Sequence, residues 1–294
     1  MAPAFLEYDV VDVFAVTPFA GNQLAVVHGA GHLPDEAMLT LAREFGYSET
    51  TFPTPVDGAR YRVRIFTPGG EVPFAGHPTL GTAWVLREHG QVSGPALVQE
   101  CGAGEVGVRL DGDRVELSAG PRDLVGPIGD GFVAQLLEAL GLDHDACDGE
   151  TWLAGTGLTF VHLPVRDEAV ARARAPRRAV RAIADLPDTR DPLDGINLYS
   201  ARHDSGGVAV HSRVFVPGLV PEDPATGSAA TGLGLALHAR SLLEPDEGYR
   251  ISQGQEIDRP SVLEGRIDAD AGAVSRVRVA GAVHPIARGQ IRAP

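Results

Sequence analysis

Two stretches of the chain say nearly the same thing: His77-Pro78-Thr79-Leu80-Gly81-Thr82-Ala83 and Asp223-Pro224-Ala225-Thr226-Gly227-Ser228-Ala229. Pro, Gly and Ala coincide, Thr82 faces Ser228, and the one position where ionisable side chains differ is the first, His77 against Asp223. A second match lies upstream, Arg64-Ile65-Phe66-Thr67-Pro68-Gly69 against Arg213-Val214-Phe215-Val216-Pro217-Gly218. The offset is 149 residues upstream and 146 in the phrase, close to half of a 294-residue chain. An internal duplication accounts for both matches, and it constrains the fold to two halves of like plan.

Local patterns fill in that plan. Residues 8 to 16 and 23 to 28 are β-rich runs around a Pro/Gly turn, and 34 to 46 carries apolar residues at helical spacing with Gly46 as a stop. Strands are expected at 50 to 54, 60 to 67, 96 to 100 and 104 to 118, the last with a DGD turn at 111 to 113. The second half should hold a helix at 131 to 141, strands at 152 to 164, an Arg-rich helix at 167 to 185, and strands at 195 to 201 and 208 to 216. Each phrase opens a helix, PTLGTAWVLREHG and TGSAATGLGLALHAR, that is apolar nearly all round. A helix without a polar face has to be buried, so strands are expected to surround it. The expected architecture is α+β, two pseudo-symmetric domains from the duplication, each a mixed or antiparallel sheet rolled round a central helix. The expected boundaries are 1–118 plus 283–294 and 119–282. The phrases would lie at the N-termini of the two central helices and face each other across a cleft, where ligands bind.

Bulk numbers exclude several kinds of function. A net charge of −14 repels polyphosphate backbones, so nucleic acid is not an expected partner. Every side-chain cation other than His is Arg, which excludes Schiff-base and P-loop lysine chemistry. Two cysteines, Cys101 and Cys147, are too few for a disulfide framework and sit in no metal-ligand spacing. The N-terminal residues carry acids where a signal peptide is basic, and no apolar run reaches the roughly 18 residues of a membrane span, so a cytoplasmic protein with no membrane partner is expected. The ten histidines form no HxxxH-type pair, and no metal is expected. Gly102-Ala103-Gly104-Glu105-Val106-Gly107 matches a dinucleotide fingerprint, but a strand rather than a helix follows it.

The phrases carry the candidate chemistry. Free N–H groups at a helix N-terminus favour an anion, and a pair facing one cleft suits a carboxylate. Asp223 before Pro also reads as an ordinary N-cap, and the two roles can coexist. His77 stands where a cap would be but is a poor capping residue, so a functional role is the better reading; its pKa near 6.5 gives access to both protonation states. Glu49, in FGYSETTFP between a helix stop and a β-rich run, is either a solvated connector residue or an acid/base group.

With FGYSETTF, RIFTPGGEVPFAGHPTLGTA, EDPATGSAA and ISQGQEIDRPS in order, the chain resembles the PhzF-like (phenazine biosynthesis-like) proteins over essentially its whole length. The resemblance implies the diaminopimelate epimerase-like fold, often a homodimer. It implies an isomerase, like that of trans-2,3-dihydro-3-hydroxyanthranilate, in which the Glu of SETTF moves a proton between carbons of a small anionic metabolite without a cofactor. That role maps onto Glu49, with His77 and Asp223 as partners and Gly76, Thr226, Gly227 and Ser228 as substrate contacts. Such a carboxylate is expected to be buried, so that its pKa rises toward neutrality. Two-thiol racemisation is disfavoured, since neither cysteine falls in the phrases. The family's usual Pro is Gln23 here, at Gly21-Asn22-Gln23, which bears on local loop shape and substrate fit. An α-carbon epimerase and a non-turnover metabolite-binding protein are the alternatives.

Overall fold

The protein is described from a computed structural model, for residues 4–180, 187–190, 193–216, 220–270 and 273–294. The chain divides into two compact units, Met1–Ser118 with Ala280–Pro294, and Ala119–Val279.

In the first unit, β1 (Phe5–Val13) pairs antiparallel with β2 (Asn22–Val27), and β2 pairs parallel with β3 (Glu49–Asp57). The helix α1 (Asp35–Phe45) connects β2 and β3. Then β3 pairs antiparallel with β4 (Arg60–Thr67), β4 parallel with β6 (Ala96–Cys101), and β6 antiparallel with β7 (Gly104–Asp111). The short β5 (Gly70–Val72) folds back on β4, and β8 (Arg114–Ala119) on β7. Between β5 and β6 runs α2 (Gly76–Glu88), whose residues from Gly76 to Leu86 are all buried. It packs against β1, β2, β3, β6 and β7, the enclosure that an all-apolar helix demands.

The second unit repeats the sequence of pairings. Here β9 (Asp123–Val125) borders β10 (Trp152–Gly155), and α3 (Asp130–Ala139) lies between them in the chain. Then β10 and β11 (Thr159–Pro164) are antiparallel, β11 and β12 (Leu193–Asp204) parallel, and β12 and β13 (Gly207–Val216) antiparallel. Next, β13 and β15 (Gly248–Gln253) are parallel, and β15 and β16 (Ser261–Asp270) antiparallel. Between β11 and β12 comes α4 (Asp167–Val170); β14 (Val220–Asp223) folds back on β13 and leads into α5 (Gly227–Ala239), buried against β10, β11 and β16. The last strand, β17 (Ala273–Arg292), begins in this unit, and its residues from Val283 onward pair with β1.

The match of Arg64 with Arg213 is structural as well as textual. Arg64 donates through Nε and Nη2 to Glu71 at 2.8 and 2.6 Å, and Arg213 donates through the same atoms to Glu222 at 2.9 and 2.6 Å. Each guanidinium also lies 5.1 Å from the ring of the Phe two residues on, Phe66 or Phe215. This clamp closes the hairpin that delivers each central helix.

The clamp also corrects the register of the repeat. Glu71 matches Glu222, Pro73 matches Pro224, and the helices start at Gly76 and Gly227, all at an offset of 151 rather than 146. The counterpart of His77 is therefore Ser228, and that of Asp223 is Val72. A five-residue slip still matches Pro and Gly in segments this poor in bulky side chains, which is why the shorter phrase misleads. Pro217 and Gly218 lie outside the described residues.

Two further expectations change. Neither His77 nor Asp223 is a helix cap: the N-cap residues are Ala75 and Thr226, and neither makes a side-chain capping bond. The Arg-rich helix expected over 167 to 185 is helical only at Asp167–Val170; residues 171 to 180 are not α-helical, and 181 to 185 lie outside the described residues. Arg213 Nη1 binds the carbonyls of Val170 and Ala173 at 3.1 and 2.7 Å, holding the chain as it leaves that turn.

The two clamps differ in burial, with side-chain exposures of 8% and 7% for Arg213 and Glu222 against 30% and 41% for Arg64 and Glu71. Removing one partner of a buried pair strands the other charge and costs about 3–5 kcal/mol, whereas a half-exposed pair is worth about 1 kcal/mol or less. Arg213→Ala is thus expected to lower the thermal midpoint by several degrees more than Arg64→Ala; equal shifts in parallel melts would contradict the assignment of Arg213 as the buried tie.

Candidate active site

The strongest chemistry in the first unit gathers at the head of α2. Glu49 is the first residue of β3, and β2 pairs parallel with β3 so that Leu24 stands opposite it. His77 is the second residue of α2. Both are buried, Glu49 at 9% and His77 at 5% exposure, and His77 Nε2 lies 3.5 Å from Glu49 Oε2.

Buried polar ties fix this turn of helix. Thr79 Oγ1 donates to the Ala75 carbonyl at 2.9 Å, Gln99 Nε2 donates to Thr79 Oγ1 at 2.8 Å, and Tyr61 OH donates to Gln99 Oε1 at 3.1 Å. Thr51, two residues after Glu49, shares a 2.8 Å hydroxyl bond with Thr82. On the other side, Asp12 accepts the Phe19 N–H at 2.8 Å and orders the turn that presents Asn22. That turn needs Gly21, whose φ is +67° and where a Cβ would stand 2.5 Å from the Val13 carbonyl oxygen.

Asn22 connects the turn to the imidazole. Ser48 Oγ donates to Asn22 Oδ1 at 3.3 Å, which leaves the Asn22 amide nitrogen, 3.2 Å from His77 Nδ1, as the donor to the ring. The other ring nitrogen, Nε2, faces Glu49. His77 Nε2 is buried and makes no hydrogen bond among the described residues.

Burial pushes the His77 pKa down to about 3, opposed by a backbone hydrogen bond with Gln23. The ring is neutral at pH 7, so its contact with Glu49 is not an ion pair. At 3.5 Å it is also long for a hydrogen bond.

In the second unit the sequence candidates gather at the head of α5. Asp223 ends β14 and is buried; its Oδ2 accepts Thr226 Oγ1 at 2.5 Å. Gln253 Nε2 donates to the Asp223 carbonyl at 2.7 Å and to Thr226 Oγ1 at 3.0 Å. Gly227 and Ser228 begin the helix, Gly227 buried and Ser228 half-buried. Gln253 was not among the sequence candidates, although it lies in the ISQGQEIDRPS motif; a Gln in a strand gives no local sign that its amide will be turned inward.

The duplication is chemically one-sided. Phe66 faces Thr50 across β3 and β4, and Phe215 faces Ile196 across β12 and β13, so the counterpart of Glu49 is Gly195. A Cβ on Gly195 would stand 2.3 Å from the Phe215 carbonyl oxygen, leaving no room for any side chain. With Ser228 in place of His77, the head of α5 carries no carboxylate–imidazole pair among the described residues; the second unit's pairing of His211 with Glu256, 2.8 Å apart, joins β13 to the segment after β15. Its own buried histidine, His162, is tied through Nδ1 to Asn197 at 3.1 Å and through Nε2 to the Ala154 carbonyl at 3.2 Å. Cys101 ends β6 and Cys147 precedes β10; neither opens a central helix.

A buried carboxylate 3.5 Å from a buried imidazole at the head of one helix is acid/base apparatus, and full-length kinship to named isomerases makes this chain an enzyme of the isomerase class. The chain belongs to the phenazine biosynthesis-like protein family, whose model matches residues 11–289. It is 35% identical over 288 residues to the trans-2,3-dihydro-3-hydroxyanthranilate isomerase of Pseudomonas fluorescens, covering 97% of this chain and 98% of that one. Among solved structures, a predicted epimerase from Pseudomonas aeruginosa matches with a TM-score of 0.82 at 30% identity, over 97% of this chain and 99% of that one. A hydroxyproline epimerase from Agrobacterium vitis, with trans-4-hydroxy-L-proline bound, shares the fold at a TM-score of 0.64 and 14% identity, over 99% and 92% of the two chains. Among the described residues no helix is long and apolar enough to cross a membrane.

The buried histidines give stability a defined pH dependence. His77 and His162 have folded pKa values of about 3 and about 4, against 6.5 in an open chain. Below pH 6.5 the unfolded chain takes up protons that the folded one refuses, so stability is complete above that pH and falls as acid is added. Each histidine contributes a slope of about 1.4 kcal/mol per pH unit inside its window. Urea midpoints measured from pH 7 to 4.5 should fall, and His77→Asn should flatten the decline; a decline unchanged in that variant would show that His77 is not held neutral.

Proposed function

We propose that this protein is a cofactor-independent isomerase that moves a proton between carbons of a small carboxylate-bearing metabolite, with Glu49 as the acid/base group. The observation that carries the reading is the buried, neutral His77, with Nε2 unmatched in its own unit and turned to Glu49. A carbon-bound proton is removed efficiently only by a base held in position and shielded from water. Glu49 takes the proton from one carbon, the electron pair shifts along the conjugated system, and the same carboxyl group returns the proton to another carbon. No bond to the enzyme forms, and the substrate keeps its composition.

His77 suits a supporting part. A ring that stays neutral cannot quench the charge of the Glu49 carboxylate, yet a ring N–H can donate to an oxygen or to developing negative charge on the substrate. Contacts of this kind are often long in the free enzyme and tighten when substrate enters. The unpaired N–H groups at the head of α2, from Gly76 and His77, favour an anion such as a carboxylate. We assign Asp223, Thr226, Gly227 and Ser228, with Gln253 added, to substrate binding from the second unit. The relatives' dihydrohydroxyanthranilate is one candidate substrate. Gln23, beside Asn22 and exposed, is a position at which related sites can differ.

The one-sided duplication favours this reading over α-carbon epimerisation, which needs two opposed bases; the carboxylate at the second helix head, Asp223, is tied to Thr226. Gly195 and Ser228 occupy the positions where a second such pair would stand. Incubation with substrate in heavy water should place deuterium on carbon, and Glu49→Gln should lower that exchange by at least about a thousandfold, as expected when a general base is lost together with its positioning. Exchange that survives in Glu49→Gln would remove Glu49 from the mechanism; clean inversion of a chiral acid would favour the epimerase.

A further inference from the structure

A second cluster of chemistry lies at the other end of α2. Asp9 of β1, His28 just after β2 and His89, the C-cap of α2, meet there. The spacing of these residues in sequence carries no metal signature, but the antiparallel pairing of β1 with β2 and the length of α2 bring them together. Asp9 Oδ2 lies 2.8 Å from His28 Nε2 and 2.8 Å from His89 Nε2, and the three atoms fall within 4.8 Å of one another. The side chains are 11%, 10% and 18% exposed. Across twelve residues of helix at 1.5 Å each, the cluster stands roughly 18 Å from His77.

The fourth member is Arg288, opposite Asp9 in the pairing of β1 with β17. Its Nε donates to Asp9 Oδ1 at 2.9 Å and its Nη2 lies 2.9 Å from His89 Nε2. These contacts conflict. To accept from the guanidinium, His89 Nε2 must be bare; to stand 2.8 Å from the Asp9 carboxylate oxygen, it must carry a proton. Three atoms that can serve as metal ligands, the two imidazole nitrogens once stripped of their protons, thus converge on a point where the protein supplies a cation by way of a side chain that is 66% exposed.

The geometry points to a divalent-metal site, with Asp9 Oδ2, His28 Nε2 and His89 Nε2 as ligands and Zn²⁺ as the fitting ion, in which the guanidinium of Arg288 holds the metal's place. One carboxylate and two imidazoles suit borderline ions such as Zn²⁺; Ca²⁺ and Mg²⁺ take oxygen ligands. At ordinary Zn–N and Zn–O lengths, tetrahedral ligands stand about 3.3 Å apart, so each Asp9–His pair opens by about 0.5 Å. His89 lies at the C-terminal end of α2, where the helix dipole also favours a cation. Arg288 swings outward and leaves the fourth position to water. Bound metal would tie β1, the end of β2 and the end of α2 into one unit, away from Glu49.

The test is titration of the full chain, freed of metal with a chelator, with ZnCl₂ by calorimetry and with Co²⁺ by its visible ligand-field absorption. The expected result is one equivalent bound, lost in His89→Ala and in His28→Ala, and at least tenfold tighter in Arg288→Ala, where nothing competes for the place. Arg288→Ala needs no ligand removed, so it decides the matter even if a histidine variant does not fold. Absence of saturable binding in both the parent and Arg288→Ala would overturn the assignment. So would binding that persists in folded His28→Ala and His89→Ala, or binding indifferent to Arg288.

Discussion

The structure depends on the burial of two helices that have no polar face. Because α2 and α5 can expose no side to water, each must be wrapped by strands of its own unit, and the wrapping takes whatever stands at the helix head out of water too. For α2 that includes His77, whose charge would be costly in such surroundings and which therefore stays neutral. Glu49 is drawn into the same dry place because it opens the strand parallel to β2. The ties from Tyr61 through Gln99 to Thr79, and from Thr51 to Thr82, satisfy buried polar atoms and hold this first turn in register with β3. Fold and chemistry share one cause, the exclusion of water.

Duplication then gave the chain two such helix heads, and they have diverged. The clamp of Arg64 with Glu71 and that of Arg213 with Glu222 persist in both units, since each closes the hairpin that aims a helix. The side chains at the tips differ: the first unit has Glu49 and His77, the second Gly195 and Ser228. Gly195 is locked by contact with the Phe215 carbonyl, so an acid cannot be restored there without moving a strand. A fold also found in a hydroxyproline epimerase here carries a Glu–His pair at one helix head and Gly195 and Ser228 at the corresponding positions of the other.

Much of this was legible in the letters. The all-apolar character of the two helices foretold their burial, and the four ordered motifs foretold the family and offered Glu49, His77 and Asp223 as candidates, of which the first two meet at the head of α2. The repeat was visible, but its register was not: Gly, Pro, Ala and Thr recur so often in both segments that a five-residue slip scores well, and only the Arg–Glu clamps and the helix starts settle it. The same slip made His77 and Asp223 look like capping residues, when one lies inside its helix and the other still in its strand. The Arg-rich segment from 167 read as a helix because Ala and Arg favour one, yet the chain there is held by carbonyl contacts to Arg213 that propensity does not foresee. Asn22, Gln253 and the meeting of Asp9, His28 and His89 arise from strand pairing over long separations, to which local spacing is blind.

The central claim is that water is excluded from the head of α2 so completely that His77 never becomes an imidazolium under working conditions. Nitrogen NMR of the full chain labelled with ¹⁵N-histidine, with the His77 signals assigned by difference against His77→Gln, observes this directly. The account predicts a neutral ring, with shifts that stay constant from pH 7.5 to about pH 5. A titration centred near the ordinary histidine value, or a ring protonated at both nitrogens at neutral pH, would contradict it.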